Sequence, residues 1–193
     1  MHELGKMAYG ASKAITGRVV HTKSGDVMRN PCISIQHKIG YIAKDRDVES
    51  LILSTSIKDN IALPTLKQLG TAGFVSGKKE VALAKNQIES LSIKCVDEKQ
   101  NCSALSGGNK QKVALGKWLG NNCNIFIMDC PTRGIDIGVK ATMYKIMYQL
   151  KKAGKSIIMI SEELTELIGM SDRMLIMKDG KIAKELTRSA DVT

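Results

Sequence analysis

Two short strings in this sequence have the residue types and spacing for phosphate chemistry. The first is Leu105-Ser106-Gly107-Gly108-Asn109-Lys110-Gln111. Ser106 offers a hydroxyl, and Gly107 and Gly108 leave backbone N–H groups unobstructed where a helix is expected to start. Free N–H groups and the helix dipole make such an end a ready anion site. The same string also fits an ordinary capped helix start with Ser-Gly-Gly as a loop. The second string is Ile125-Phe126-Ile127-Met128-Asp129, four apolar residues suited to a buried strand and then a carboxylate able to hold Mg2+. Pro131-Thr132-Arg133-Gly134-Ile135-Asp136 follows directly.

In this order and spacing the three strings resemble the signature, the Walker B strand and the D-loop of ABC ATPases. The resemblance implies an α/β, P-loop NTPase (ABC ATPase) three-layer fold with a mostly parallel central sheet and an inserted helical subdomain. It implies ATP and Mg2+ as cofactors, used in the intact dimeric assembly. Ser106, Gly107, Gly108, Asn109 and Gln111 would face ATP held mainly by an opposite domain. Asp136 would lie in the loop joining two nucleotide sites, and Asp129 would hold Mg2+. Asn109 at the usual Gln position, Lys117-Trp118-Leu119, the Pro131–Asp136 string and Gly40-Tyr41-Ile42-Ala43-Lys44-Asp45-Arg46 narrow the likeness. They resemble the second of two fused nucleotide-binding domains in bacterial importers of simple sugars such as ribose, galactose and xylose. The likeness runs from about Glu3 to Leu186. It implies a second nucleotide-binding domain, transporter membrane subunits and, indirectly, a sugar-binding protein as partners. It also implies a cytoplasmic place, peripheral on the inner face of the cell membrane.

The departures from that pattern fall on one side of the chemistry. No GxxxxGK[ST] string, the Walker A loop that grips the β- and γ-phosphates, occurs in the chain. Glu3-Leu4 aligns with the helix just after it. The fold is therefore expected to lack the N-terminal strands and P-loop, through an engineered truncation or a natural gene fragment. Cys130 stands where a water-polarising Glu is usual, and a thiol is a weak general base. A packed, inert cysteine is the preferred reading. Glu162 stands where many ABC domains place a His, and its charge would repel phosphate. Lys44 replaces a Glu, and its charge could sit near phosphate or face solvent, with solvent preferred. Cys130 and Glu162 thus mark degenerate positions, and no catalytic residue is assigned. The function expected is the ATP-binding component of a sugar importer, this chain lending its signature to a partner's site and being itself weakly or not catalytic. The alternative is a non-catalytic dimerisation or regulatory module.

The elements that must hold these residues follow from apolar periodicity. Residues 1 to about 9 read as a helix ending at Gly10, and Gly17 to Asp26 as a short β-rich piece. Ile33–Lys38 reads as helical, and Ile39–Ala43 as a buried strand. Ser56 to about Leu119 reads as helices with a Gly70–Gly77 loop. Strands at Asn124–Met128, Ser156–Ile160 and Arg173–Met177 then alternate with helices at Val139–Lys152 and Leu164–Met170, before a short last strand. This alternation implies a parallel sheet covered on both faces. The division expected is one partial domain over 1–193: an α/β core from 1–55 and 120–193, and a helical subdomain over 56–119 ending in the signature.

Composition narrows the classes. Aromatic residues are 4% of the chain, so the core must rest on aliphatic residues and the ten Met. The net charge of +10 is spread along the chain, without interleaved aromatics, which speaks against nucleic-acid binding. Five cysteines with no CxxC indicate neither a disulfide framework nor a zinc site. No apolar run reaches the roughly 20 residues needed to span a bilayer.

Overall fold

A computed structural model of the chain describes residues 1–71 and 74–188. The first helix, α1 (His2–Tyr9), stops at Gly10, whose φ of 79° is the left-handed turn that glycine takes without strain. A side chain at Gly10 would also run into the Asn30 backbone, 2.8 Å from an added Cβ. Helix α2 (Pro31–Gln36) starts with Asn30 accepting from the Ile33 N–H and with Pro31 in its first turn. It leads into β1 (Ile39–Ile42), buried throughout.

A helical block follows. Helix α3 (Ile57–Ala62) begins with a reciprocal cap between Ser56 and Asp59, and α4 (Leu66–Leu69) is a short continuation. The expected Gly70–Gly77 loop contains a two-residue antiparallel ribbon, β2 (Gly70–Thr71) with β3 (Phe74–Val75). Its middle residues, Ala72 and Gly73, lie outside the described residues. Helices α5 (Gly77–Ser90) and α6 (Gly107–Gly120) pack with α3, and Ala84, Leu91, Val113 and Leu115 are buried between them.

The chain then alternates as expected: β4 (Ile125–Asp129), α7 (Ile137–Lys152), β5 (Ser156–Ile160), α8 (Leu164–Met170), β6 (Arg173–Lys178) and β7 (Lys181–Thr187). Strands β1, β4 and β5 form a parallel sheet in that order, with Tyr41 opposite Ile127 and Ile127 opposite Ile158. Strand β6 does not join it. It pairs antiparallel with β7 in a separate ribbon, so among the described residues no strand pairs with the outer edge of β5. The Gly17–Asp26 piece is less regular than expected, holding one bridge between Val20 and Val27.

Helix α1 lies on the sheet. Gly5 lets it approach closely, since a Cβ there would come 2.7 Å from Ile160 Cδ1. Tyr9 stacks on Tyr41 with ring centroids 5.4 Å apart and meets the Trp118 edge at 5.8 Å. Three of the chain's few aromatics thus clamp α1, β1 and α6 together. The clamp fixes the N-terminus of α1 over the carboxyl end of β4, the end where open α/β sheets bind ligands.

Candidate functional site

Two clusters form where the sequence placed its chemistry. The first is the start of α6. Ser106 precedes the helix with its side chain uninvolved in capping, and the first helical bond runs from the Lys110 N–H to the Ser106 carbonyl. Among the described residues, the N–H groups of Gly107, Gly108 and Asn109 have no hydrogen-bond partner in the chain. Asn109 donates to Ser106 Oγ at 3.0 Å and accepts from the Lys94 N–H at 2.9 Å, which holds the hydroxyl toward the helix end. The glycines also permit packing. A Cβ on Gly108 would stand 2.8 Å from Val139 of α7, and one on Gly107 2.8 Å from the Arg46 guanidinium.

Gln111 differs from the other signature residues. It is buried, and its amide donates to the Pro131 carbonyl at 2.8 Å. It ties α6 to the loop after β4 and does not reach the exposed helix end. Asp136, expected in the linking loop, caps α7 by accepting from the Val139 N–H at 2.9 Å. Arg46 braces the same loop, donating to the carbonyls of Arg133 (3.0 Å) and Gly134 (3.4 Å).

The second cluster lies at the carboxyl end of β4. Asp129 is fully buried there. Its Oδ1 is 2.6 Å from His2 Nδ1, and its Oδ2 accepts from the Tyr41 hydroxyl at 3.4 Å. His2 Nε2 lies 3.0 Å from Glu162 Oε1 and 2.9 Å from Lys44 Nζ, and Lys44 donates to the same Glu162 oxygen at 2.6 Å. Lys44 is therefore not solvated as preferred from sequence; it bridges two members of the cluster. The Lys44 ammonium and then His2 hold the Glu162 carboxyl below its ordinary range. Cys130 is buried, as expected of a packed cysteine, with φ 47° and its N–H bonded to the Ile160 carbonyl at 2.8 Å. Burial first, and then the Asp129 charge, push its thiol upward, away from a free thiolate nucleophile.

Magnesium favours six oxygen ligands in an octahedron, several of them water. Asp129 stands where the sequence placed it, but its neighbours are an imidazole and a thiol, and the imidazole occupies Oδ1. This donor set does not fit Mg2+ in the chain's own site.

Sequence reasoning missed two residues. His2 immediately precedes Glu3-Leu4, the pair aligned with the helix after a phosphate loop, so its place at this end of the sheet was readable there. Glu166 left no signal. Its buried carboxylate accepts from Thr132 Oγ1 (2.5 Å), Ser161 Oγ (2.5 Å) and the Tyr144 hydroxyl (3.0 Å), lacing the loop after β4 to the loop after β5.

The parallel sheet, the helical block and the placement of both clusters define an ABC-type ATPase fold. Two solved ATP-binding cassettes share it: a dimeric post-hydrolysis state bound to ADP and Pi (TM-score 0.80, 20% identity) and a nucleotide-free cassette (TM-score 0.74, 18% identity). The first covers 96% of this chain and 79% of that one, the second 97% and 76%. The ABC transporter family profile matches residues 4–133, and the chain belongs to that family. It is 39% identical over 96% of its length to a ribose import ATP-binding protein of Lactococcus lactis subsp. cremoris. A ribose import ATP-binding protein of Bacillus subtilis is 36% identical over 95%, and an arabinose import ATP-binding protein of Azospirillum brasilense 37% over 97%. The chain spans 38%, 37% and 36% of those three relatives respectively.

Proposed function

We propose that this chain is an ATP-binding component of a sugar-import ABC transporter and corresponds to the second nucleotide-binding domain of its relatives. Its role is to complete a partner domain's ATP site, and its own site is weakly or not catalytic. One contrast carries this reading. The end of α6 presents free N–H groups and a held hydroxyl, as γ-phosphate recognition requires, while the end of β4 is filled by His2, Cys130 and the Lys44–Glu162 pair. ATP, with its Mg2+, would be gripped by the partner's phosphate loop and closed over by Ser106, Gly107, Gly108 and Asn109. Gln111 and Asp136 act as positioning residues, Gln111 tying α6 to the linking loop and Asp136 starting α7 at that loop's end.

In this reading residues 56–119 form the helical subdomain that meets the membrane subunits, and 1–55 with 120–193 form the core. The sugar-binding protein is engaged only through those subunits. The protein works on the cytoplasmic face of the membrane; among the described residues no helix is long and apolar enough to cross it. A purely regulatory dimerisation module would share the filled β4 end but would not need an open α6 end.

Ser106→Arg in the full-length protein would put a bulky cation into the partner's phosphate position. ATP hydrolysis should fall on the order of a hundredfold or more, the usual loss for one oxyanion-type donor. Cys130→Glu alone should give this chain no steady turnover. Hydrolysis unchanged in Ser106→Arg, or steady turnover in Cys130→Glu, would overturn the reading.

A further inference from the structure

We propose that His2, Asp129 and Cys130 form a binding site for a zinc-class divalent cation, with Glu162 orienting the histidine. Each residue offers one ligand atom, and the three atoms lie within 4.8 Å of one another. The ligand–ligand edge of a tetrahedral zinc shell is roughly 3.3–3.8 Å, from metal bonds of about 2.0–2.3 Å. Side-chain adjustment therefore suffices to close the shell, with the short His2–Asp129 contact opening as the ion enters. Nitrogen, sulfur and carboxylate oxygen together are the donor set of zinc and its neighbours in the transition series, and a poor one for magnesium.

The surroundings suit such an ion. The ligands come from the first turn of α1, the end of β4 and the residue after it, all fixed by packed elements. Asp129 is a fully buried carboxylate, and a divalent ion with this carboxylate and the Cys130 thiolate makes a locally neutral unit. His2 Nε2 faces Glu162 at 3.0 Å, the carboxylate–histidine pairing that orients metal-bound imidazoles. Lys44 is the opposing cation, 2.9 Å from the same nitrogen, but it is neutralised by Glu162.

Binding is a proton rearrangement with no redox step. In the free chain His2 Nδ1 faces Asp129, and Nε2 faces both Glu162 and Lys44. With the ion bound, the Nδ1 lone pair goes to the metal, a proton held on Nδ1 is transferred to Nε2 or to solvent, and the imidazole carries its one proton on Nε2, facing Glu162. The Cys130 thiol releases its proton to solvent as sulfur binds, and water takes the fourth position.

The site shares Asp129 with the nucleotide reading but requires no nucleotide, so metal alone tests it. Co2+ titrated into the metal-stripped full chain should bind one to one and give tetrahedral bands with a thiolate-to-cobalt charge-transfer band, and Zn2+ should displace it. Cys130→Ser should remove the charge-transfer band, and His2→Ala should weaken Zn2+ affinity at least tenfold. Glu162→Gln should weaken it about tenfold or more. Zn2+ should also slow alkylation of Cys130 in the unaltered chain, a readout independent of variant folding. No stoichiometric binding, a charge-transfer band that survives Cys130→Ser, or Mg2+ competing as well as Zn2+ would overturn the proposal. Those results would leave the Ser106→Arg outcome untouched, and the reverse also holds.

Discussion

At the scale of single residues, polar groups held at a cost mark where this chain spends stability. Lys117, on the signature helix, is buried against Trp118 and donates to the Ser50 carbonyl, with no carboxylate partner among the described residues. Burial lowers its pKa to about 8. The unfolded chain holds this proton up to about pH 10.4, so between about 8 and 10.4 the unfolded state binds more protons than the folded one. Stability contributed at this site must therefore rise with pH across that window. A shift of this size corresponds to on the order of 3 kcal/mol. Lys117→Met removes the buried ammonium and keeps the stem's volume. It should be at least as stable as the parent at pH 7 and lose ground to it by pH 10, read from urea unfolding at both values. A stability difference independent of pH would mean that burial does not lower the Lys117 pKa and that the ammonium stays charged in its niche through pH 10. The same scale explains why the contact of His2 with the second cluster was not legible. His2 and Asp129 lie 127 residues apart, so spacing along the chain could not pair them.

At the scale of elements, the sequence was legible wherever an apolar run or a helical period continues along one element. Strand β5 and helix α8 occupy the spans their side-chain patterns predicted, and β1 and β4 differ from theirs by a residue. Periodicity was silent where pairing decides structure. The Gly17–Asp26 stretch has strand-like residues but one bridge, and β2–β3 is too short to alternate. The apolar run of β6 identified a strand but not its neighbour, which is β7 and not β5. The most demanding element contact is β1 against α6. A Cβ on Gly40 would stand 2.8 Å from Trp118 Cγ and 2.9 Å from its Cβ, within a clamp that also holds Tyr9. Gly40→Ala should thus destabilise the chain by about 1–3 kcal/mol through overpacking, lowering Tm by roughly 2–12 °C for a chain of this size. Gly77→Ala, in open space at the start of α5, should stay within about 0.5 kcal/mol of the parent. Equal melting temperatures for the two variants would show that β1 and α6 have room to separate.

At the scale of the whole molecule, burial is uneven in a way the topology explains. Strand β4 is paired on both edges and β1, at the far rim, is buried under α1, α2 and α6, and Ile42, Phe126 and Met128 are at most 1% exposed. Among the described residues strand β5 has one unpaired edge, and Ile158 at its centre is 50% exposed although the run Ile157-Ile158-Met159-Ile160 has the composition of a core strand. The β6–β7 ribbon is bonded mainly to itself, and Leu175 and Ile182 stand 46% and 60% exposed. A two-stranded ribbon with little apolar cover is marginal by itself, and segments with few buried contacts open below the global free energy. Hydrogen exchange should therefore divide the chain. Amides of Phe126–Met128 should exchange only through global unfolding, and those of Ile182–Glu185 at least about a hundredfold faster through local opening. Because β5 is bonded along one edge alone, its amides should fall between the two. Uniform protection across β4 and β7 would mean that the ribbon is locked to the sheet by contacts stronger than its exposure implies. In a full-length protein that covers the outer edge of β5 with another strand, the same experiment should show Ile157–Ile160 rising to the protection of β4.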